Sequence, residues 1–131
     1  MARPNKVKAY DGPYAEITKL ADGSITHGSV VTSGTNPEDV AECTASDNPV
    51  GVAGSKTVGD NDYADGEEVL VIASGIVRLE ASASISEGEK VKAAADGKVQ
   101  PVSGDGTDTN AEVGTALGAA SQDGDILEVK L

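Results

Sequence analysis

A glycine turn recurs through this chain at about ten-residue spacing, a rhythm that favours short strands over long helices. The 131 residues include 16 glycines, many in Asp-Gly or Gly-Asp pairs such as Asp65-Gly66 and Asp123-Gly124-Asp125. Between the turns lie short runs rich in Val and Ile. Leu127, Val129 and Leu131 alternate with Glu128 and Lys130, giving one apolar and one wet face. Residues 67–79 read as a deeply buried strand pair or one long strand, with Gly75 marking a bulge or bend. Only Pro37 to Cys43 offers a helical turn, because Asn36-Pro37-Glu38-Asp39 resembles a capped helix start. The expectation is an all-β fold.

The two halves echo each other. Ser24-Ile25-Thr26-His27-Gly28 aligns with Ser84-Ile85-Ser86-Glu87-Gly88 at an offset of 60. Val50-Gly51 aligns with Val113-Gly114 at 63, and Asp65-Gly66-Glu67 with Asp123-Gly124-Asp125 at 58. Two related β-units would leave such matches, with loop-length changes moving the offset. Glycine turns common to all β proteins would leave them too. Either way a half is too small to stand alone, and one closed or nearly closed, compact barrel-like domain is the economical reading. Residues 103–110 hold no apolar side chain and read as a surface loop, placed where the offset lengthens.

The core must be aliphatic. There is no Phe or Trp, and only Tyr10, Tyr14 and Tyr63 are aromatic. Val, Ile, Leu and Ala each bury less area than a ring, so such a core gains from oligomerisation or from docking on a larger surface. Twenty-two acids against ten bases give a net charge of -12. That balance opposes binding to nucleic-acid phosphates and to anionic membranes. It is uneven: residues 1–10 carry Arg3, Lys6 and Lys8 with no acid, leaving the other 121 residues at -15. A short basic arm on an acidic body suits docking to an acidic surface; a solvated terminus is the other reading. Met-Ala-Arg-Pro-Asn-Lys lacks the apolar core of a signal peptide. The run Val69 to Ala73 is far short of the ~20 residues that span a bilayer. Cys43 is the single cysteine, so no intrachain disulfide forms and a small buried hydrophobe is its role. The reading is of a soluble protein made in a reducing compartment.

Catalytic constellations are hard to assemble. His27 is the only histidine, and its alignment with Glu87 implies an exposed turn. No nucleophile elbow is present, and the carboxylates lie mostly in glycine-rich turns, where they read as solvated. Asp60-Asn61-Asp62-Tyr63-Ala64-Asp65-Gly66-Glu67-Glu68 sets hard oxygen ligands at alternate positions, a pattern that calcium accepts. It departs from the EF-hand at Ala64, at the late glycine and in lacking flanking helices. Asp105, Asp108 and Asn110 make a weaker cluster. Gly51-Val-Ala-Gly54-Ser-Lys56 lacks P-loop spacing, so its glycines read as permitting a strand turn. The expectation is therefore binding without chemistry, with no catalytic residue, metal site or cofactor assigned. A β-rich module that holds calcium or carbohydrate through the 60–68 loop is the alternative.

The second half carries a recognisable pattern. Gly66-Glu-Glu-Val-Leu-Val-Ile-Ala-Ser-Gly-Ile-Val-Arg-Leu-Glu-Ala precedes Ile85-Ser-Glu-Gly-Glu-Lys-Val-Lys-Ala-Ala-Ala-Asp-Gly-Lys-Val-Gln-Pro101. The chain then closes with Val113-Gly-Thr-Ala-Leu-Gly-Ala-Ala-Ser-Gln-Asp-Gly-Asp-Ile-Leu-Glu-Val-Lys-Leu131. Together with Pro49-Val-Gly-Val-Ala, this resembles the tailed-phage capsid decoration family, also described as cement or head-stabilisation proteins. The resemblance implies a β-rich domain over residues 12–131 behind an extended N-terminal arm, residues 1–11. It implies a virion protein made in the host cytoplasm, which joins the exterior of the major capsid protein lattice and bridges capsomers as a homotrimer. Arg3, Pro4, Asn5, Lys6, Val7 and Lys8 would then be the arm's capsid-contact residues. Neither nucleic acid nor membrane is an expected partner.

Overall fold

The computed structural model describes residues 15–45, 47–54, 62–102 and 112–131. Among the described residues, short extended segments separated by glycine turns form ten strands. They are β1 (Glu16–Ala21), β2 (Val30–Ser33), β3 (Asp39–Glu42), β4 (Pro49–Ala53), β5 (Glu68–Ile72), β6 (Ile76–Glu80), β7 (Lys90–Ala93), β8 (Val99–Pro101), β9 (Glu112–Ala116) and β10 (Ile126–Lys130). A 3-10 turn, Ala95–Gly97, is the one helical element among the described residues. The all-β expectation holds. Residues 67–79 are a strand pair, broken at Gly75 with its left-handed φ of 117°.

The barrel closes within the first half, and the second half repeats its plan alongside. Strands β1 to β5 form a closed barrel in the order β1-β3-β2-β4-β5, and β6 to β10 a sheet in the order β6-β10-β9-β7-β8. Replacing β1 by β6, β2 by β7, β3 by β8, β4 by β9 and β5 by β10 turns one set of antiparallel pairings into the other. Even the register shift recurs, between Val31 and Thr32 and between Val91 and Lys92. Turn bonds match as well: Gly66 donates to the Ala21 carbonyl and Gly124 to the Ala81 carbonyl, each at 2.8 Å. The weak sequence echo is thus a repeated structural unit.

Period-two alternation explains the burial. The first barrel's core runs from Ala21, Ile25 and Val31 to Val69 and Val71, and each member has a buried counterpart from Ala81, Ile85 and Val91 to Leu127 and Val129. Fully burying a Val or Ile side chain is worth about 1.5–3 kcal/mol, which is how a chain without Phe or Trp holds together. Tyr63 is the exception in size: its ring fills the first core and its hydroxyl donates to the Gly54 carbonyl, where the second unit has only Ala120.

Two local expectations give way to tertiary pairing. The Pro37–Cys43 helical turn does not form, because Asp39–Glu42 is claimed as a strand by β1 on one side and β2 on the other. Asn36 and Asp39 instead close a tight turn, with the Asn36 amide nitrogen donating to the Asp39 carboxylate at 3.1 Å. Gly51 does not permit a turn; it lies inside β4, where a Cβ would sit 2.6 Å from the Ile72 carbonyl oxygen. The seams of the two units also differ. Parallel pairing of β1 with β3 closes the first, whereas a single Ala81–Val99 bridge stands there in the second. Lys98 supports that seam, reaching Asp123 at 3.0 Å and Glu80 at 3.3 Å. Those two carboxylates hold its ammonium pKa above the ordinary lysine value.

Candidate functional site

A row of side chains crosses the outer face of each unit. In the first, register aligns Val30 with Val52, Val52 with Ile72 and Ile72 with Glu16. In the second, it aligns Lys90 with Thr115, Thr115 with Lys130 and Lys130 with Ile76. The rows are structural counterparts with opposite chemistry. Val30, Val52 and Ile72 are fully buried in one cluster with Val77, Leu79 and the rest of the second unit's core, so this row joins the units. Lys90 and Lys130 are exposed, and the Lys90 ammonium donates to the Thr115 hydroxyl at 3.0 Å.

A second contact locks the units together. The 3-10 turn places Asp96 and Gly97 in the left-handed region, at φ 62° and 71°. The Gly97 amide then donates to the Cys43 carbonyl at 3.0 Å. A Cβ on Gly97 would overlap Ser29, whose buried hydroxyl donates to the Glu42 carboxylate at 2.8 Å. Cys43 is buried beside this contact. Desolvation first, then Asp47 and Glu42, push its thiol up to about 12. A thiol that ionises near 9 when unfolded but near 12 when folded weakens stability as pH rises from the first value toward the second. Cys43 is therefore expected to resist a disulfide reagent at pH 8, labelling only at the rate of opening; fast stoichiometric labelling of the folded protein would contradict its placement.

The acidic turns use their carboxylates locally. Asp62 lies 3.2 Å from the His27 ring nitrogen, and His27 is half-buried rather than exposed as its alignment with Glu87 implied. Asp65 accepts the Gly23 amide at 2.9 Å, and Glu67 accepts the Ala64 amide at 2.6 Å. Asp60 and Asn61 lie outside the described residues, as do Asp105, Asp108 and Asn110. Among the described residues no three His, Cys, Asp or Glu side chains come together as metal ligands. Three further carboxylates cap turns: Asp22 on Thr35, Asp47 on Thr44 and Asp125 on Ser121. The hydroxyl and amide of Thr35 lower the Asp22 pKa, and the amide and then the hydroxyl of Thr44 and of Ser121 lower those of Asp47 and Asp125.

The arm residues Arg3, Pro4, Asn5, Lys6, Val7 and Lys8 lie outside the described residues. What the sequence reading missed is the row Val30, Val52, Ile72 and the Gly97 contact. The offsets 60, 63 and 58 carried a signal for the first, since they set valine and isoleucine opposite Lys90, Thr115 and Lys130.

The chain matches the phage cement proteins over residues 10–131. It belongs to that family. Membership places the cement protein described here among the structural proteins of phage virions. Its fold is also that of the head fiber gp8.5 N base in bacteriophage phi29, with a TM-score of 0.64 at 16% identity, over 91% of this chain and 94% of that one. No curated protein matches it.

Proposed function

We propose that this cement protein binds the exterior of a phage capsid shell and stabilises it by bridging neighbouring capsomers, without catalysis. The family match over residues 10–131 carries the reading. The body, residues 12–131, would seat on the shell as a homotrimer, and the arm, residues 1–11, would contact it through Arg3, Pro4, Asn5, Lys6, Val7 and Lys8. Many weak contacts repeated over a lattice supply strength through multivalency. Acidic outer turns keep coated particles apart. A buried, protonated Cys43 and carboxylates engaged as turn caps support a role without chemistry. The net charge of -12 argues against nucleic acid and membrane as partners, and synthesis in the host cytoplasm suits the lone thiol.

Sedimentation with expanded shells that lack the protein tests this. The wild type is expected to pellet with the shells, and Lys6→Glu/Lys8→Glu to bind about tenfold more weakly at low ionic strength, with the gap closing as salt rises. Protein that remains in the supernatant at every salt concentration would sink the reading.

A further inference from the structure

We propose that the lysine row is the body's seat on the shell, with Lys90, Thr115 and Lys130 binding an acidic protein surface. The seat presupposes the shell reading above and names the face that meets the shell. Alternation fixes which way the row points, because successive side chains on a strand face opposite sides of the sheet. Val91, Ala116 and Val129 turn inward and join the cluster that holds Val30, Val52 and Ile72 of the first unit. Each lies next in sequence to a member of the row. Lys90, Thr115 and Lys130 therefore face the other way, on the side remote from the first unit.

Charge is divided along the same direction. Among the described residues, the first unit up to Ile72 carries ten carboxylates against the single cation Lys19. The second unit, from Ile76, carries eight carboxylates and five cations. Four of those cations stand on the outward side of their strands: Arg78, Lys90, Lys92 and Lys130. Two carboxylates approach them there, Glu128 at 3.9 Å from Arg78 and Glu112 at 3.8 Å from Lys90. Both gaps are too long for a hydrogen bond, and exposed pairs of this kind are weak. Lys130 is exposed and makes no ion pair among the described residues.

An acidic protein surface fits this face better than a phosphate polymer. Lys90 and Lys130 are two strands apart, roughly 10 Å, with Glu112 and Glu128 close by, so the row does not track a continuous phosphate backbone. An acidic patch on a shell meets this face alone. The protein's own charge asymmetry would then turn the row inward and leave the acidic first unit toward solvent.

Sedimentation with shells tests the seat separately from the shell reading. Lys90→Gln/Lys130→Gln is expected to bind about tenfold more weakly than wild type at low ionic strength, with the gap closing as salt rises. Its melting midpoint should stay within about 1 °C of wild type, because both positions are exposed. Lys19→Glu changes the net charge by the same amount in the first unit and is expected to bind like wild type. Equal weakening by the two variants would assign the effect to long-range charge and overturn the inference. Wild-type binding by the lysine variant would overturn it too, while leaving the shell reading intact. Wild type that stays in the supernatant would remove the shell reading and the seat together. Tighter binding of the wild type to duplex DNA than to shells would overturn the seat in favour of phosphate.

Discussion

Ile72→Lys is expected to leave the protein unfolded at ambient temperature, although the same row carries lysine in the second unit without penalty. Ile72 is fully buried where the two units meet, in a cluster of aliphatic side chains. A lysine there loses about 2–3 kcal/mol of apolar burial and either keeps an unpaired charge out of water or gives up its proton. The sum, of order 5 kcal/mol, matches the whole stability of a marginal domain. The mirror variant Lys130→Ile touches an exposed position of the counterpart row and should change stability by less than about 0.5 kcal/mol. Urea denaturation followed by circular dichroism checks both. Equal effects of the two substitutions would contradict a joint between units at Ile72.

Gly114→Ala is expected to cost about 3 kcal/mol, through space rather than backbone angle. A Cβ on Gly114 would run into the Lys130 carbonyl group and lie 3.1 Å from a Val129 methyl. Gly51 repeats the arrangement against Ile72 and Val71, so both glycines let a neighbouring strand approach closely. Gly124 makes the contrast. It has φ 95° and open space around it, so Gly124→Ala should cost only the left-handed conformation, about 1–2 kcal/mol. A melting series that ranks Gly124→Ala as the more damaging would reverse this assignment of roles.

Much of the fold was legible because turns and alternation are local. Asp65-Gly66 and Asp123-Gly124 announced strand starts, and Leu127 and Val129 an inward face. Gly75 marked the break between β5 and β6. The strand Asp39–Glu42 was not legible, since its partners β1 and β2 outweigh the helix-start chemistry of Asn36 to Asp39. Nor was the purpose of Gly51, which depends on a carbonyl 21 residues further along the chain. The joint between the units was hidden for a related reason. Val30, Val52 and Ile72 read as ordinary strand residues, and only the paired registers show them aligned across three strands and opposed to Lys90, Thr115 and Lys130. The carboxylates look solvated in the sequence, but Asp22, Asp47 and Asp125 cap turns at Thr35, Thr44 and Ser121.

The lysine row also bears on how many copies a particle holds. The surface that joins one unit to the next inside the chain is apolar only once, so a bound molecule offers newcomers no second apolar row on which to stack. Head-to-tail addition through this surface would therefore stop within one chain. On a shell coated as proposed above, occupancy would then saturate at the number of seats the lattice provides, and the thickness of the coat would be one molecule.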